Sequence, residues 1–203
     1  MRKIKSILGS WLLLLSFCLT DSVGQKSVRY PQDANGITAF VEVFSQLDFS
    51  ANDAIKRLGT VSSAKPDDFR IVLTPFPSEK DEIKEITLAI FDDTPEGRHR
   101  LDYVEIEYIK PILISYGELK GKYGPPDYIK PPVANCKPRA VNCPPRFVGY
   151  RFSFVPDAES LASGKSIEVA INLEMEWSAE VPQHTDKDFL AVKAIRFKRI
   201  RRD

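Results

Sequence analysis

Glu105 and Glu107 occupy alternate positions in a short segment, and in a strand they would project from one face about 7 Å apart. Paired carboxylates at such a separation can share acid and base roles in a hydrolytic reaction. The ordinary state of alternating glutamates, however, is a solvated sheet face. His99 stands in an acidic, polar turn and His184 follows Pro182, each alone in sequence, where a surface histidine is the default. Ser163 to Ser166 reads SGKS, like the end of a phosphate-binding loop, but Glu159 stands where that loop needs glycine, which leaves a hairpin turn. Neither a G-x-S-x-G elbow nor an H-E-x-x-H pair occurs in the chain. The residues therefore point away from an enzyme, and the alternative to a binding protein is a secreted hydrolase built on Glu105, Glu107 or His99.

Binding chemistry concentrates in the stretch from Pro125 to Arg146, which holds seven of the chain's 15 prolines, together with Tyr128, Lys130, Lys137, Arg139 and Arg146. Cys136 and Cys143 lie in the same stretch, and two cysteines so close in an exported chain most simply form a local disulfide. So small a ring contributes about 2.5 kcal/mol at most by chain entropy. No metal site is expected here, since a structural zinc wants four ligands and neither histidine lies near. A stiff loop loses little entropy on binding, and arginine and tyrosine concentrate interface energy. Tyr128, Lys130, Lys137, Arg139 and Arg146 are thus the candidate contact residues, against the plain reading of a stapled surface excursion. A second basic feature is the C-terminal run Lys193, Arg196, Lys198, Arg199, Arg201 and Arg202. Pairing with Glu174 and Glu176 across a strand boundary accounts for it more simply than an anion site does.

The elements that must position these residues announce themselves by two matching helix boxes, FSANDAIKRLG at 49–59 and ISYGELKGKYG at 114–124. Each places a serine (Ser50, Ser115) three residues before a carboxylate (Asp53, Glu118), which is a capping box, and each ends on a glycine (Gly59, Gly124) suited to the left-handed position after a helix. Three strand-like segments follow each box: 69–76, 83–91 and 101–109, then 147–155, 166–177 and 190–200. In the fifth of these, Ile167, Val169, Ile171, Leu173, Met175 and Trp177 alternate with Glu168, Asn172, Glu174 and Glu176, so one face is buried and the other wet. Short connections make the strands antiparallel, and the helices should cover their apolar face. Phe40, Val41, Phe44 and Leu47 form a helical stripe in 37–47, although Val41 and Val43 would also suit a strand.

At the N-terminus, Arg2, Lys3 and Lys5 precede an apolar run from Ile7 to Leu19, too short to span a bilayer and shaped like an export signal. Ser22 and Gly24 suit a cleavage site that would leave Gln25 first. A lipid attached at Cys18 is the alternative, against which the bulky Phe17 stands where the attachment box has a small residue. Removing residues 1–24 takes away Arg2, Lys3, Lys5 and Asp21 and leaves 26 basic side chains against 27 acidic ones. That balance gives no bulk attraction to nucleic acid or anionic membrane.

A capped helix ending in a glycine-proline turn (Leu119, Tyr123, Gly124, Pro125), followed by a three-stranded meander in an exported chain, resembles the fold shared by the β-lactamase inhibitor proteins and the small outer-membrane assembly lipoproteins. The resemblance implies a protein-binding scaffold, and it carries over no contact residue. The chain is therefore expected to be an α+β molecule: a signal over 1–24, an N-terminal segment over 25–48, a helix-βββ repeat over 49–113 and a second over 114–203, with the proline-rich disulfide loop at 125–146. The expected role is a non-enzymatic, protein-binding module of the cell envelope or extracellular space, with no cofactor. A small-ligand carrier with an apolar groove between helices and sheet is a third reading.

Overall fold

A side-chain cap starts each helix among the described residues. The Oδ1 atom of Asp33 accepts from the Gly36 N–H at 2.7 Å and opens α1, Ala34–Phe44. Ser50 and Asp53 cap α2, Ala51–Leu58, reciprocally: the Asp53 N–H donates to Ser50 Oγ at 3.2 Å and the Ser50 N–H to Asp53 Oδ2 at 3.0 Å. These bonds hold the Asp53 carboxyl below the usual carboxylate range. Ser115 Oγ accepts from the Glu118 N–H at 3.3 Å before α3, Tyr116–Tyr123. Asp157 caps the short α4, Ala158–Ala162, through the Ser160 N–H at 2.8 Å. The computed structural model describes residues 30–65, 69–91, 100–129, 148–176 and 183–200. The signal segment, Cys18, His99, Lys130, Lys137, Arg139, Arg146, both loop cysteines, Trp177, Arg201 and Arg202 lie outside those residues.

Among the described residues eight strands form one sheet: β1 Gly59–Lys65, β2 Arg70–Pro75, β3 Ile83–Phe91, β4 Arg100–Ser115, β5 Asp127–Ile129, β6 Gly149–Phe154, β7 Val169–Glu174 and β8 Phe189–Arg199. Their order is β1-β2-β3-β4-β8-β7-β6-β5, and every neighbouring pair is antiparallel. The molecule is thus mostly β with some helix. α1, α2 and α3 lie against one face, where Leu73, Ile86, Leu88, Val104, Ile106, Ile171, Leu173, Phe152, Ile195 and Phe197 are buried. The Phe40 ring of α1 lies tilted at 4.5 Å from the Phe197 ring, and the Phe44 ring lies 6.2 Å from it. Tyr30 and Tyr108 tie the N-terminal turn down, their hydroxyls donating to the carbonyls of Leu58 and Pro31. Burial pushes the Tyr108 hydroxyl far above the ordinary phenol range.

Four expectations need correction. Four strands, not three, follow each helix box: β1 and β5 are added, the first an edge strand with exposed residues on both sides, the second only 3 residues long after two prolines. β4 runs on through Ser115, so one residue ends a strand and caps a helix. Gly59 is extended rather than left-handed; glycine is needed there because a Cβ would stand 2.2 Å from the Thr74 carbonyl oxygen across the β1–β2 pair. Gly124, with φ 79°, does take the left-handed turn. Finally, Ser163 and Gly164 end α4 rather than joining two strands directly, and β7 begins only at Val169.

Candidate binding surface

Alternation along β4 sends Val104, Ile106 and Tyr108 into the core and Tyr103, Glu105 and Glu107 to the opposite face, against which none of α1, α2 and α3 packs. Register then assembles a row across five strands: Arg151, Asn172, Arg196, Glu105 and Thr87. Arg151 Nε donates to Asn172 Oδ1 at 2.9 Å, and Asn172 Nδ2 to the Arg196 carbonyl at 3.3 Å. Arg196 donates through Nε and forms an ion pair through Nη2 with Glu105 Oε2, while its guanidinium lies 5.0 Å over the Tyr103 ring. A second row carries Glu174, Ala194, Glu107 and Glu85. Lys84 Nζ meets Glu107 at 2.6 Å, and Lys193 Nζ meets Glu176 at 3.1 Å. Glu174 lies beside them with its carboxyl raised above the usual range, first by burial and then by the charge of Glu105, with Arg196 opposing.

Toward the far end of β4 the same face turns apolar. Leu113 pairs with Ala191 and Ser115 with Phe189, so Leu113 and Phe189 are diagonal neighbours, 63% and 62% exposed, with Ile109 half exposed on the same strand. Their counterparts Ile114, Leu190 and Val192 are fully buried beneath the helices. The face therefore joins a charged platform, in which Glu105, Glu107 and Glu176 are paired with cations, to a small desolvable corner.

Of the residues singled out from the sequence as possible actors, Glu105, Glu107, Tyr128 and His184 are described. Glu105 and Glu107 do share a face, but each is engaged by a different cation. Of the loop candidates only Tyr128 is described: it is half-buried in β5, its ring edge-on to Tyr150 at 5.2 Å. His184 is not a free surface side chain. It packs 5.7 Å from Tyr116 and 5.6 Å from Tyr150, with Nδ1 3.9 Å from Asp188 Oδ2 and a buried Nε2 that has no hydrogen-bond partner. Within this cluster, burial and then Tyr116 and Tyr128 push the Tyr150 hydroxyl to about 12.

The basic run also divides. Lys193 meets Glu176 as expected, whereas Arg196 pairs with Glu105 rather than with Glu174 or Glu176. Arg199 is buried, its guanidinium donating to the carbonyls of Phe44 (2.9 Å), Gln46 (2.6 Å) and Phe49 (2.9 Å) where α1 ends. Sequence reasoning missed Leu113 and Phe189. The available signal was the unbroken run Ile112-Leu113-Ile114, in which one residue must face away from any one-sided core.

Among the described residues no three His, Cys, Asp or Glu side chains are grouped to hold a metal ion, and no helix is long and apolar enough to cross a membrane. A concavity of about 560 Å³ is lined by Leu47, Leu161, Ala162, Ile167 and Ile200 beside α4.

The fold and this face together define a one-sided antiparallel sheet whose open face is part charged and part apolar. No protein-family model matches the chain, and neither a curated protein nor a solved structure proved similar to it.

Proposed function

We propose that this protein is an exported, non-enzymatic protein-interaction module that engages its partner through the sheet face opposite the helices, with the loop between β5 and β6 contributing Lys130, Lys137, Arg139 and Arg146. The observation that carries the reading is the exposed Leu113–Phe189 pair beside the Arg196–Glu105 and Lys84–Glu107 ion pairs. A desolvable apolar spot within a polar surround is the anatomy of an interface, and large apolar side chains grouped on one exposed face mark contact sites. Pairing of the carboxylates with cations favours recognition over hydrolysis. The two-repeat reading gains support from the strand order, in which β1–β4 and β5–β8 each run as a meander and meet last strand to last strand. Export rests on the signal-like first 24 residues.

The test is cross-linked capture from the native cell envelope, comparing wild type with Leu113→Asp/Phe189→Asp and with a variant in which residues 130–146 become a short glycine-serine link. Loss of the same partner with the double aspartate variant, at unchanged melting temperature, is expected. Undiminished capture by both variants would overturn the proposal. The carrier reading rests on the groove beside α4, and native mass spectrometry of protein from its own host would reveal a bound small molecule.

A further inference from the structure

The sheet ends early at one corner. β5 pairs Asp127 with Arg151, Tyr128 with Tyr150 and Ile129 with Gly149, and then stops, although β6 continues to Phe154. Which backbone groups this leaves open follows from the ladder. The Met175 N–H donates to the Val148 carbonyl at 2.9 Å, so even-numbered residues of β6 turn their polar groups toward β7. The Ile200 N–H donating to Glu168 at 2.8 Å fixes the opposite parity on β7 and agrees. Odd-numbered residues of β6 therefore face the outer side. Gly149 and Arg151 meet β5, whereas Ser153 and Val155 meet no strand.

Continuing the register would place Pro125 opposite Ser153, and proline has no N–H to give. In the space where β5 would have continued there is a groove of about 470 Å³, lined by Thr38, Lys122, Tyr123, Ser153, Phe154 and Val155. Its walls are mixed. Val155 is 54% exposed, and Phe154 packs its ring against Tyr123 at 6.4 Å. Lys122 Nζ donates to Asn35 Oδ1 at 2.8 Å and to Thr38 Oγ1 at 3.2 Å. Both partners are neutral, and no carboxylate among the described residues forms an ion pair with this lysine.

We propose that this corner accepts an extended acidic peptide as a ninth strand, hydrogen-bonded to the outward N–H and C=O groups of Ser153, with an apolar side chain over Val155 and a carboxylate on Lys122. Strand addition to an open edge is a recurring mode in which main-chain bonds give affinity and flanking pockets give selectivity. Glu42 lies near enough to act on Tyr123 but forms no ion pair with Lys122, so the lysine sets the sign of the occupant: a carboxylate would replace neutral acceptors with a charge-assisted bond. The site is separate from the Leu113–Phe189 face and does not depend on it.

The probe is a fluorescein-labelled peptide of alternating valine and threonine with one glutamate, titrated into isotope-labelled full-length protein. Saturable amide shifts are expected at Lys122, Tyr123, Ser153 and Val155, unaffected by Leu113→Asp/Phe189→Asp. Lys122→Glu should weaken binding about tenfold or more, the effect of losing a charge-assisted hydrogen bond and adding repulsion. Ser153→Pro removes an N–H that β7 does not use and should abolish binding with the fold intact. A peptide N-methylated on alternate amides removes the same backbone bonds from the other side, leaves the protein unaltered, and should fail to bind wild type. Absence of shifts at millimolar peptide, equal binding by the N-methylated peptide, or equal binding by Lys122→Glu would each overturn the proposal.

Discussion

Glu174 shows how a single side chain reports its surroundings. It emerges from β7 onto the charged platform, half-buried, near Glu105 and Glu107, while Arg196 and Lys193 compensate only in part. Its carboxyl holds a proton more tightly in the folded protein than in the unfolded chain. Its contribution to stability is therefore fully present below the unfolded value of about 4.3 and is lost as pH rises through the higher folded value. Glu174→Gln keeps the shape and removes the charge. It should raise the melting temperature by about 1–3 °C at neutral pH, with the gain vanishing in acid, where wild type is protonated in both states. Melting curves across the acid range check both the sign and the convergence.

Close backbone approach governs the elements, and two glycines separate it from helix propensity. At Gly59 an added methyl would meet the Thr74 carbonyl oxygen at 2.2 Å, so Gly59→Ala must push β1 from β2 and should cost about 1–3 kcal/mol. Gly121, inside α3, has nothing within 4 Å of the same methyl, and Gly121→Ala should gain about 0.5–1 kcal/mol by helix propensity. Denaturant midpoints of the two variants should move in opposite directions.

What the sequence discloses of these elements follows from how local their causes are. α2 is legible because the Ser50–Asp53 box lies within four residues, and β6 and the first half of β4 because a one-sided core imposes alternation. β1 is not, because Thr60 to Ala64 is exposed throughout and no burial imposes a pattern. The platform was half legible. The shared face of Glu105 and Glu107 is a local property, but the cation on Glu105 comes from Arg196, 91 residues away, through a strand pairing that alternation does not reveal.

Arg199 belongs to the molecule as a whole. From β8 it reaches the carbonyls of Phe44, Gln46 and Phe49, closing the C-terminal end of α1, and its guanidinium lies 5.0 Å over the Phe44 ring. A cation is favoured where a helix presents its unpaired carbonyls. Arg199→Met would leave several acceptors buried without that donor and should cost about 3 kcal/mol, seen as a melting-temperature loss of about 6–12 °C. Arg199→Lys should recover only part of this, because an ammonium lacks the fork that spans three carbonyls at once. Full recovery by lysine would show that charge alone suffices.

The sheet order sets a timetable for synthesis. β8 lies between β4 and β7, and it is the last of the eight strands to leave the ribosome. Until residues 189–199 emerge, β4 and β7 are both raw edges, and two incomplete four- and three-stranded pieces must wait without pairing to other chains. Such non-local closure makes folding slow and exposes intermediates to aggregation. A nascent chain stalled before Phe189 is thus a natural client for a holdase.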